Sequence, residues 1–208
     1  IIQSGNDAAV ALAEYVAGTE IGFATLMNHK ALELGMMSSN FTNAPGLPGE
    51  EHYSTVYDIA LLSRALIKDF PEFYAWYSEP EFTFNDITQR NRNTLLARDP
   101  SVDGIKTGYT EAAGYCLAAS SVKNEMRLIA IVAGASSPAA RAEQAASLLN
   151  FGHAAYMSLQ ILREPRPDDT LNVYYGEVDE LAYGALAPTT LVIAKELRDS
   201  LMFDYRVP

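Results

Sequence analysis

Apolar residues recur at helical spacing through the first third of the chain. Gly5 to Val16 is short and Ala-rich, and Thr19, followed by Glu20, is placed to cap a second helix running to about Leu34. Ile21, Ala24, Leu32 and Leu34 lie partly on one stripe, and Gly35 supplies the stop. The two segments read as a helical hairpin. Residues 38 to 53 break the pattern with Asn40, Asn43, Pro45, Gly46, Pro48 and Gly49, a density of turn formers that predicts a long ordered loop. Thr55-Val56-Tyr57-Asp58 is a capping-box variant, and the helix it opens repeats apolar residues at Ile59, Leu62 and Leu66 until Phe70-Pro71 ends it.

From residue 81 the period changes to that of strands. Glu81-Phe82-Thr83-Phe84 alternates, Asp103 to Thr107 is a short segment before Gly108, and Tyr115 to Val122 leads into a turn at Lys123-Asn124-Glu125. Met126 to Ala133 returns as an apolar, β-branched run, so residues 115 to 133 form a hairpin in a largely buried sheet. Ser137-Pro138 has the chemistry of an N-cap and first helical residue, and Ala145, Leu148, Leu149 and Ala155 form the apolar face of the helix that follows. Helices, then strands, then a helix predict an α+β fold, an antiparallel β-sheet flanked by helices. Beyond about residue 158 the composition shifts. Arg163-Glu164-Pro165-Arg166-Pro167-Asp168-Asp169 is a linker, and Leu171 to Tyr175 and Thr189 to Ile193 read as strands of a small all-β domain that is cut short, in which Tyr174 and Tyr175 pack. The expected division is 1–158 and 159–208.

Composition narrows the function. The 208 residues carry 26 acidic and 15 basic side chains, a net charge of -11, and 49% are hydrophobic. An acidic chain with no Lys/Arg stripe repels phosphate backbones, which argues against nucleic acid as a partner. The longest apolar run, Leu128 to Ala133, is strand length and far short of the roughly 20 residues a membrane span needs. The lone Cys116 has no partner for an internal disulfide and reads as a small core residue. His29, His52 and His153 lack metal-ligand spacing, so no metal site is expected, and Glu50-Glu51-His52 reads as solvated charge on a loop. Ile1-Ile2-Gln3-Ser4 has neither a charged n-region nor a cleavage pattern and reads as the interior of something longer.

Two triplets could carry chemistry. Ser4-Gly5-Asn6, at a helix entrance, offers a hydroxyl and a carboxamide able to hydrogen-bond a peptide and relay a proton. Lys106-Thr107-Gly108, on a strand, offers a cation, a hydroxyl and a backbone without a side chain that a ligand can lie against. Each alone has a plainer reading, as a helix cap and as a turn.

Together, and in this order, they resemble the serine acyl transferases that bind penicillin. Ser4 to Ala8, Thr55 to Leu66, Glu81 to Asn85, Asn91-Arg92-Asn93, Val102 to Thr110 and Ala113-Gly114-Tyr115 are similar to the low-molecular-mass D-alanyl-D-alanine carboxypeptidases, the S11-type penicillin-binding proteins. The resemblance runs from residue 1 to about 158, and the remainder resembles the start of that family's all-β second domain. It implies a β-lactamase/transpeptidase-like fold and an acyl-enzyme mechanism without a cofactor. The substrates it implies are peptidoglycan pentapeptides ending in D-Ala-D-Ala, with β-lactams as inhibitors. It implies a periplasmic or extracytoplasmic location, with peripheral membrane association through a C-terminal segment beyond this chain.

By this resemblance Ser4 relays a proton to the leaving amine, Asn6 holds the acyl-side amide, and Lys106 supplies positive potential. Thr107 hydrogen-bonds the terminal carboxylate, Gly108 admits the ligand backbone, and the Tyr109 N–H forms half of an oxyanion hole. Arg141 would reach the substrate carboxylate, its plainer reading being a solvated charge in a helix's first turn, where Arg is disfavoured. Asn91 and Asn93 are expected to satisfy backbone groups beneath the site.

The family's nucleophile motif, Ser-x-x-Lys, precedes Ser-x-Asn. The one literal match, Ser120-Ser121-Val122-Lys123, falls at the end of a predicted strand and reads as accidental, so the nucleophile is expected outside this chain. Two other readings stay open. A class A β-lactamase typically has Ser-Asp-Asn where this chain has Ser-Gly-Asn, and residues 38 to 55 hold no Glu-x-x-x-Asn. A non-catalytic peptidoglycan-binding module is the other.

Overall fold

In a computed structural model, which describes residues 1–162, 170–182 and 188–202, the first two helices are α1 (Asn6–Ala17) and α2 (Glu20–Glu33). Thr19 caps α2 as expected, its hydroxyl accepting from the Gly22 N–H at 3.0 Å. The pair is a corner and not a hairpin, since the axes turn by 84°. The physical reason is the link, in which Gly18 closes α1 at φ 75 and Thr19 at once starts α2, too short a connection to reverse the chain. α3 (Val56–Asp69) begins at Thr55, whose hydroxyl accepts from Asp58 N at 3.1 Å. The box is only half formed. The Asp58 carboxylate, 3% exposed, turns instead to the preceding loop and accepts from Ser38 N at 2.9 Å and Ser39 Oγ at 2.6 Å. The loop is thereby ordered, together with the Asn40–Tyr53 bridge and an Asn28 side chain bonded to both backbone groups of Phe41. Phe70 ends α3, and Pro71 opens the short α4 (Pro71–Tyr74).

The strand expected at residue 81 is β1 (Glu81–Phe84), and it pairs antiparallel with β2 (Ile87–Arg90). Asn85 and Asp86 both take positive φ, 48 and 62, as a two-residue hairpin turn requires. The main sheet contains β3 (Val102–Thr110), β4 (Gly114–Lys123) and β5 (Met126–Ala135) in that order. β3 is longer than the predicted segment and carries a register shift between Val102 and Gly104. Lys123 belongs to β4, and the turn is Asn124-Glu125, both at positive φ.

This sheet is covered on both faces, and the alternation along its strands decides which residue meets which layer. Leu117, Ala119, Ala130 and Val132 pack with Ala142, Ala145 and Leu149 of α5 (Pro138–Ala155) and with Leu95. Ile105, Ala118, Ile129 and Ile131 pack on the opposite side with Tyr74, Ile59 and Leu66. Leu148, expected on the buried face of α5, is exposed, because the stripe that packs on the sheet is centred on Ala142, Ala145, Ala146 and Leu149, and residue 148 lies roughly 100° round the helix from it. The result is the expected α+β arrangement, with β3 at an edge of the sheet.

The chain divides into two units, 1–123 with 127–151, and 124–126 with the residues from 152 on. In the second, β6 (Tyr156–Leu162) pairs antiparallel with β9 (Thr189–Ala194), and β7 (Thr170–Asn172) with β8 (Glu180–Ala182). The position 158 chosen from composition falls inside β6. The predicted linker, 163–169, and residues 203–208 lie outside the described residues. Tyr174 and Tyr175 do not pack, being 81% and 108% exposed on the bend that follows β7, with Tyr175 at φ 67. Among the described residues no single helix is long and apolar enough to cross a membrane.

Candidate active site

The Ser4-Gly5-Asn6 segment turns sharply into α1. Ser4 takes φ 59 and its N–H returns to Ile1 O at 3.2 Å. The helix cap is Gly5, with no side-chain hydrogen bond. Neither the Ser4 hydroxyl nor the Asn6 carboxamide is therefore used as a cap, and both open on a cleft of about 800 Å³.

The facing wall is the C-terminal half of β3. Thr107 is buried while Gly108 and Tyr109 are exposed, and all three line the cleft. A Cβ at Gly108 would meet only Cys116 Cβ, at 3.8 Å, so packing inside the protein does not demand glycine there. What its absence of a side chain preserves is the open face of the strand.

Arg141 completes the wall from α5, whose start is held by Ser137, Oγ accepting from Ala140 N at 3.0 Å, with Pro138 as first residue. The guanidinium is not a solvated charge. Arg141 is 7% exposed and donates through Nη1 to Gly108 O at 3.1 Å and Cys116 O at 3.4 Å. Burial holds its pKa below the usual Arg value.

Lys106 does not line this cleft, and it adjoins the site through a hollow whose wall Thr107 and Gly108 share. It lines a neighbouring apolar hollow of about 720 Å³, with Ile59, Leu66 and Ile131, and its Nζ donates to Thr107 O at 2.7 Å. Its pKa is pushed down to about 8, first by burial and then by the charges of Arg92 and Arg141, so the three cations sense one another.

Arg92 has no signal of its own in the sequence beyond its place in Asn91-Arg92-Asn93. It lines the cleft, and both Nε and Nη2 lie 3.3 Å from Gln3 Oε1. Gln3 in turn donates through Nε2 to Arg90 O at 2.7 Å, which ties the Ser4 segment to the Arg92 loop. The flanking asparagines serve the backbone, as expected. Asn91 Nδ2 donates to Glu79 O at 3.0 Å, and the buried Asn93 donates to Gly104 O at 3.0 Å and accepts from Leu95 N at 3.2 Å. Asp7 and Tyr115, which the sequence placed in the family motifs without a role in the site, also line the cleft.

Behind β3, Asp103 accepts from the Tyr74 hydroxyl at 3.0 Å and pairs with Arg127, Nη2 to Oδ2 at 2.7 Å. Burial, with Asp103 adding to it, pushes the Tyr74 phenol well above its ordinary pKa. Arg127 Nη1 also donates to Ser120 Oγ at 2.6 Å. Ser120 is thus a fully buried strand residue, and Lys123 is paired with Asp99 at 3.0 Å, so Ser120 to Lys123 is no nucleophile motif. Cys116 is half-buried on β4, with its thiol directed at Ala113 O. In the 38–53 loop Glu50 and Glu51 are exposed, while His52 Nδ1 accepts from Thr42 N at 3.2 Å and has a structural role. Among the described residues no three His, Cys, Asp or Glu side chains gather as a metal site.

Comparison with known proteins extends this geometry. Residues 1–137 match the S11 peptidase family described as D-alanyl-D-alanine carboxypeptidase. The chain is 42% identical over 196 residues to D-alanyl-D-alanine carboxypeptidase DacD of Escherichia coli, covering 94% of this chain and 50% of that protein. Penicillin binding protein 5 from Haemophilus influenzae is similar in structure, with a TM-score of 0.80 at 39% identity over 94% of this chain and 58% of that one. Penicillin-Binding Protein D2 from Listeria monocytogenes, solved in a cefotaxime-bound form, gives a TM-score of 0.69 at 34% identity, covering 74% and 63%. The chain spans about half the length of the curated relatives it matches.

Proposed function

Since the chain belongs to the S11 family of D-alanyl-D-alanine carboxypeptidases, we propose that the protein removes the terminal D-alanine from peptidoglycan stem peptides through a serine acyl-enzyme, and that β-lactams acylate the same serine. The observation that carries this reading is the cleft itself. Ser4 and Asn6 on one side and Thr107, Gly108 and Tyr109 on the other converge beside Arg141, a buried cation with no carboxylate partner among the described residues.

In this mechanism a serine of a Ser-x-x-Lys motif outside residues 1–208 attacks the carbonyl of the penultimate D-alanine. The oxyanion accepts from that serine's N–H and from the Tyr109 N–H. The C–N bond then breaks, and Ser4 relays the proton to the departing D-alanine amine. Water hydrolyses the ester and restores the serine. Arg141 and the Thr107 hydroxyl bind the terminal carboxylate, Asn6 holds the acyl-side amide, and Lys106 adds the positive potential that steers an anion into a net-negative protein. No step requires a cofactor. Because peptidoglycan lies outside the cytoplasmic membrane, the enzyme acts in the periplasm or its equivalent, held at the membrane's outer face by a segment following residue 208. Removing the terminal D-alanine withdraws the leaving group used in cross-linking, which links the activity to cell-wall maintenance and cell shape.

The test is release of D-alanine by the full-length protein from a peptide ending in D-Ala-D-Ala, alongside labelling by a fluorescent penicillin. Both are expected, and both should be lost in Ser4→Ala and Lys106→Ala. Absence of both in the folded parent would overturn the reading.

A further inference from the structure

Arg141 is held in an unusual way. It sits in the first turn of α5, where the helix's partial positive charge opposes a cation. Among the described residues it has no ion pair, and only Nη1 is bonded, to the carbonyls of Gly108 and Cys116. Nε and Nη2, the edge of the guanidinium that binds a carboxylate in two parallel hydrogen bonds, have no protein acceptor there.

The remaining contact is aromatic. The Arg141 Cζ lies 5.6 Å from the ring centroid of Tyr115, within cation–π range. Tyr115 is itself fixed by a second ring, since its cross-strand partner is Tyr109 and their centroids are 4.3 Å apart with 30° between planes. Register makes the pair unavoidable, because directly opposed residues on one face of an antiparallel sheet have adjacent side chains. Tyr109 stays 56% exposed, and both rings line the cleft. On the carboxypeptidase reading, we infer that the side chains of Tyr109 and Tyr115 are positioning residues for Arg141. They orient its free Nε/Nη2 edge toward the cleft and so set the preference for substrates with a free terminal carboxylate. Tyr109 thus has a side-chain role separate from that of its N–H.

The test compares kcat/KM of the full-length protein for a peptide ending in D-Ala-D-Ala with that for the same peptide amidated at its C-terminus. In Tyr115→Leu the acid-to-amide ratio should fall about fivefold, and in Tyr109→Ala about threefold, chiefly through KM for the acid. Tyr109→Phe and Tyr115→Phe, which keep the rings, should restore the parent ratio. Equal losses on acid and amide, or an unchanged ratio in Tyr109→Ala, would overturn the inference. Tyr109 is exposed, so this second variant decides the matter if Tyr115→Leu does not fold. An active parent with an unmoved ratio sinks the inference alone. A parent that releases no D-alanine sinks the carboxypeptidase reading and the inference with it.

Discussion

Replacing Asn93 with Ala should loosen the floor of the cleft. Asn93 is 3% exposed, and its carboxamide bridges Gly104 O on β3 and Leu95 N in the turn that follows the Arg92 loop. Truncation removes both bonds and leaves a carbonyl and an N–H unsatisfied on Gly104 and Leu95, both of them buried. Each buried group left unpaired costs roughly 1–3 kcal/mol, so the pair amounts to about 3 kcal/mol. In a full-length protein about twice this size, as its relatives are, that corresponds to a fall in Tm of about 3–6 °C. Thermal unfolding of the full-length protein followed by circular dichroism measures it directly. Lys106 lies two residues beyond Gly104, and Arg92 adjoins Asn93, so the rate of acylation by a fluorescent penicillin should fall as well. Asn93→Asp keeps the acceptor for Leu95 N but sets a carboxylate oxygen against Gly104 O, and should be at least as damaging. A stability within about 0.5 kcal/mol of the parent, the range of ordinary surface substitutions, would refute the reasoning.

Gln3→Ala breaks the link between the Ser4 segment and Arg92. Because these contacts are exposed, Tm should move by no more than about 3 °C, while penicillin acylation slows severalfold; an unchanged acylation rate would show that the link does not serve the site. The Lys106 ammonium, with its pKa pushed down to about 8, is charged below that pH. Acylation by a carboxylate-bearing β-lactam should therefore decline as pH rises through about 8, and a profile flat to pH 10 would remove Lys106 as the source of the potential. The same shift bears on stability with the opposite sense. A folded-state value below the unfolded one of 10.5 means that folding releases a proton between about 8 and 10.5, so the burden of burying Lys106 is full below pH 8 and is relieved as pH rises. Asp58→Ala removes a charged acceptor from Ser38 N and Ser39 Oγ and should cost about 3 kcal/mol. Proteolysis should then cut first within residues 38–53, whereas Asp58→Asn, which retains one acceptor oxygen, should cost about half as much.

What could be read from the sequence were the features whose causes lie within a few residues. Thr19, Thr55 and Ser137 start helices because at an N-cap the hydroxyl lies within reach of the unpaired N–H three positions on. The apolar runs in β4 and β5 marked a sheet buried on both faces, and the ordered triplets marked the family. The β1–β2 turn was within the same reach, since Asn85 and Asp86 tolerate positive φ, but Ile87-Thr88-Gln89-Arg90 holds a single apolar residue and so shows none of the alternation that marked β1. Tertiary structure decided the rest. Asp58 could have closed its own capping box, and it turned to Ser38 and Ser39 only because the loop comes to rest against it. Arg141 could have been a solvated charge, and only the packing of α5 on the sheet buries it against the carbonyls of Gly108 and Cys116. Arg92 reaches the cleft because Gln3, distant in sequence, arrives beside it. Local interactions are decided by neighbours along the chain, whereas the partners of a long polar side chain are decided by which surfaces packing brings within about 3 Å of it.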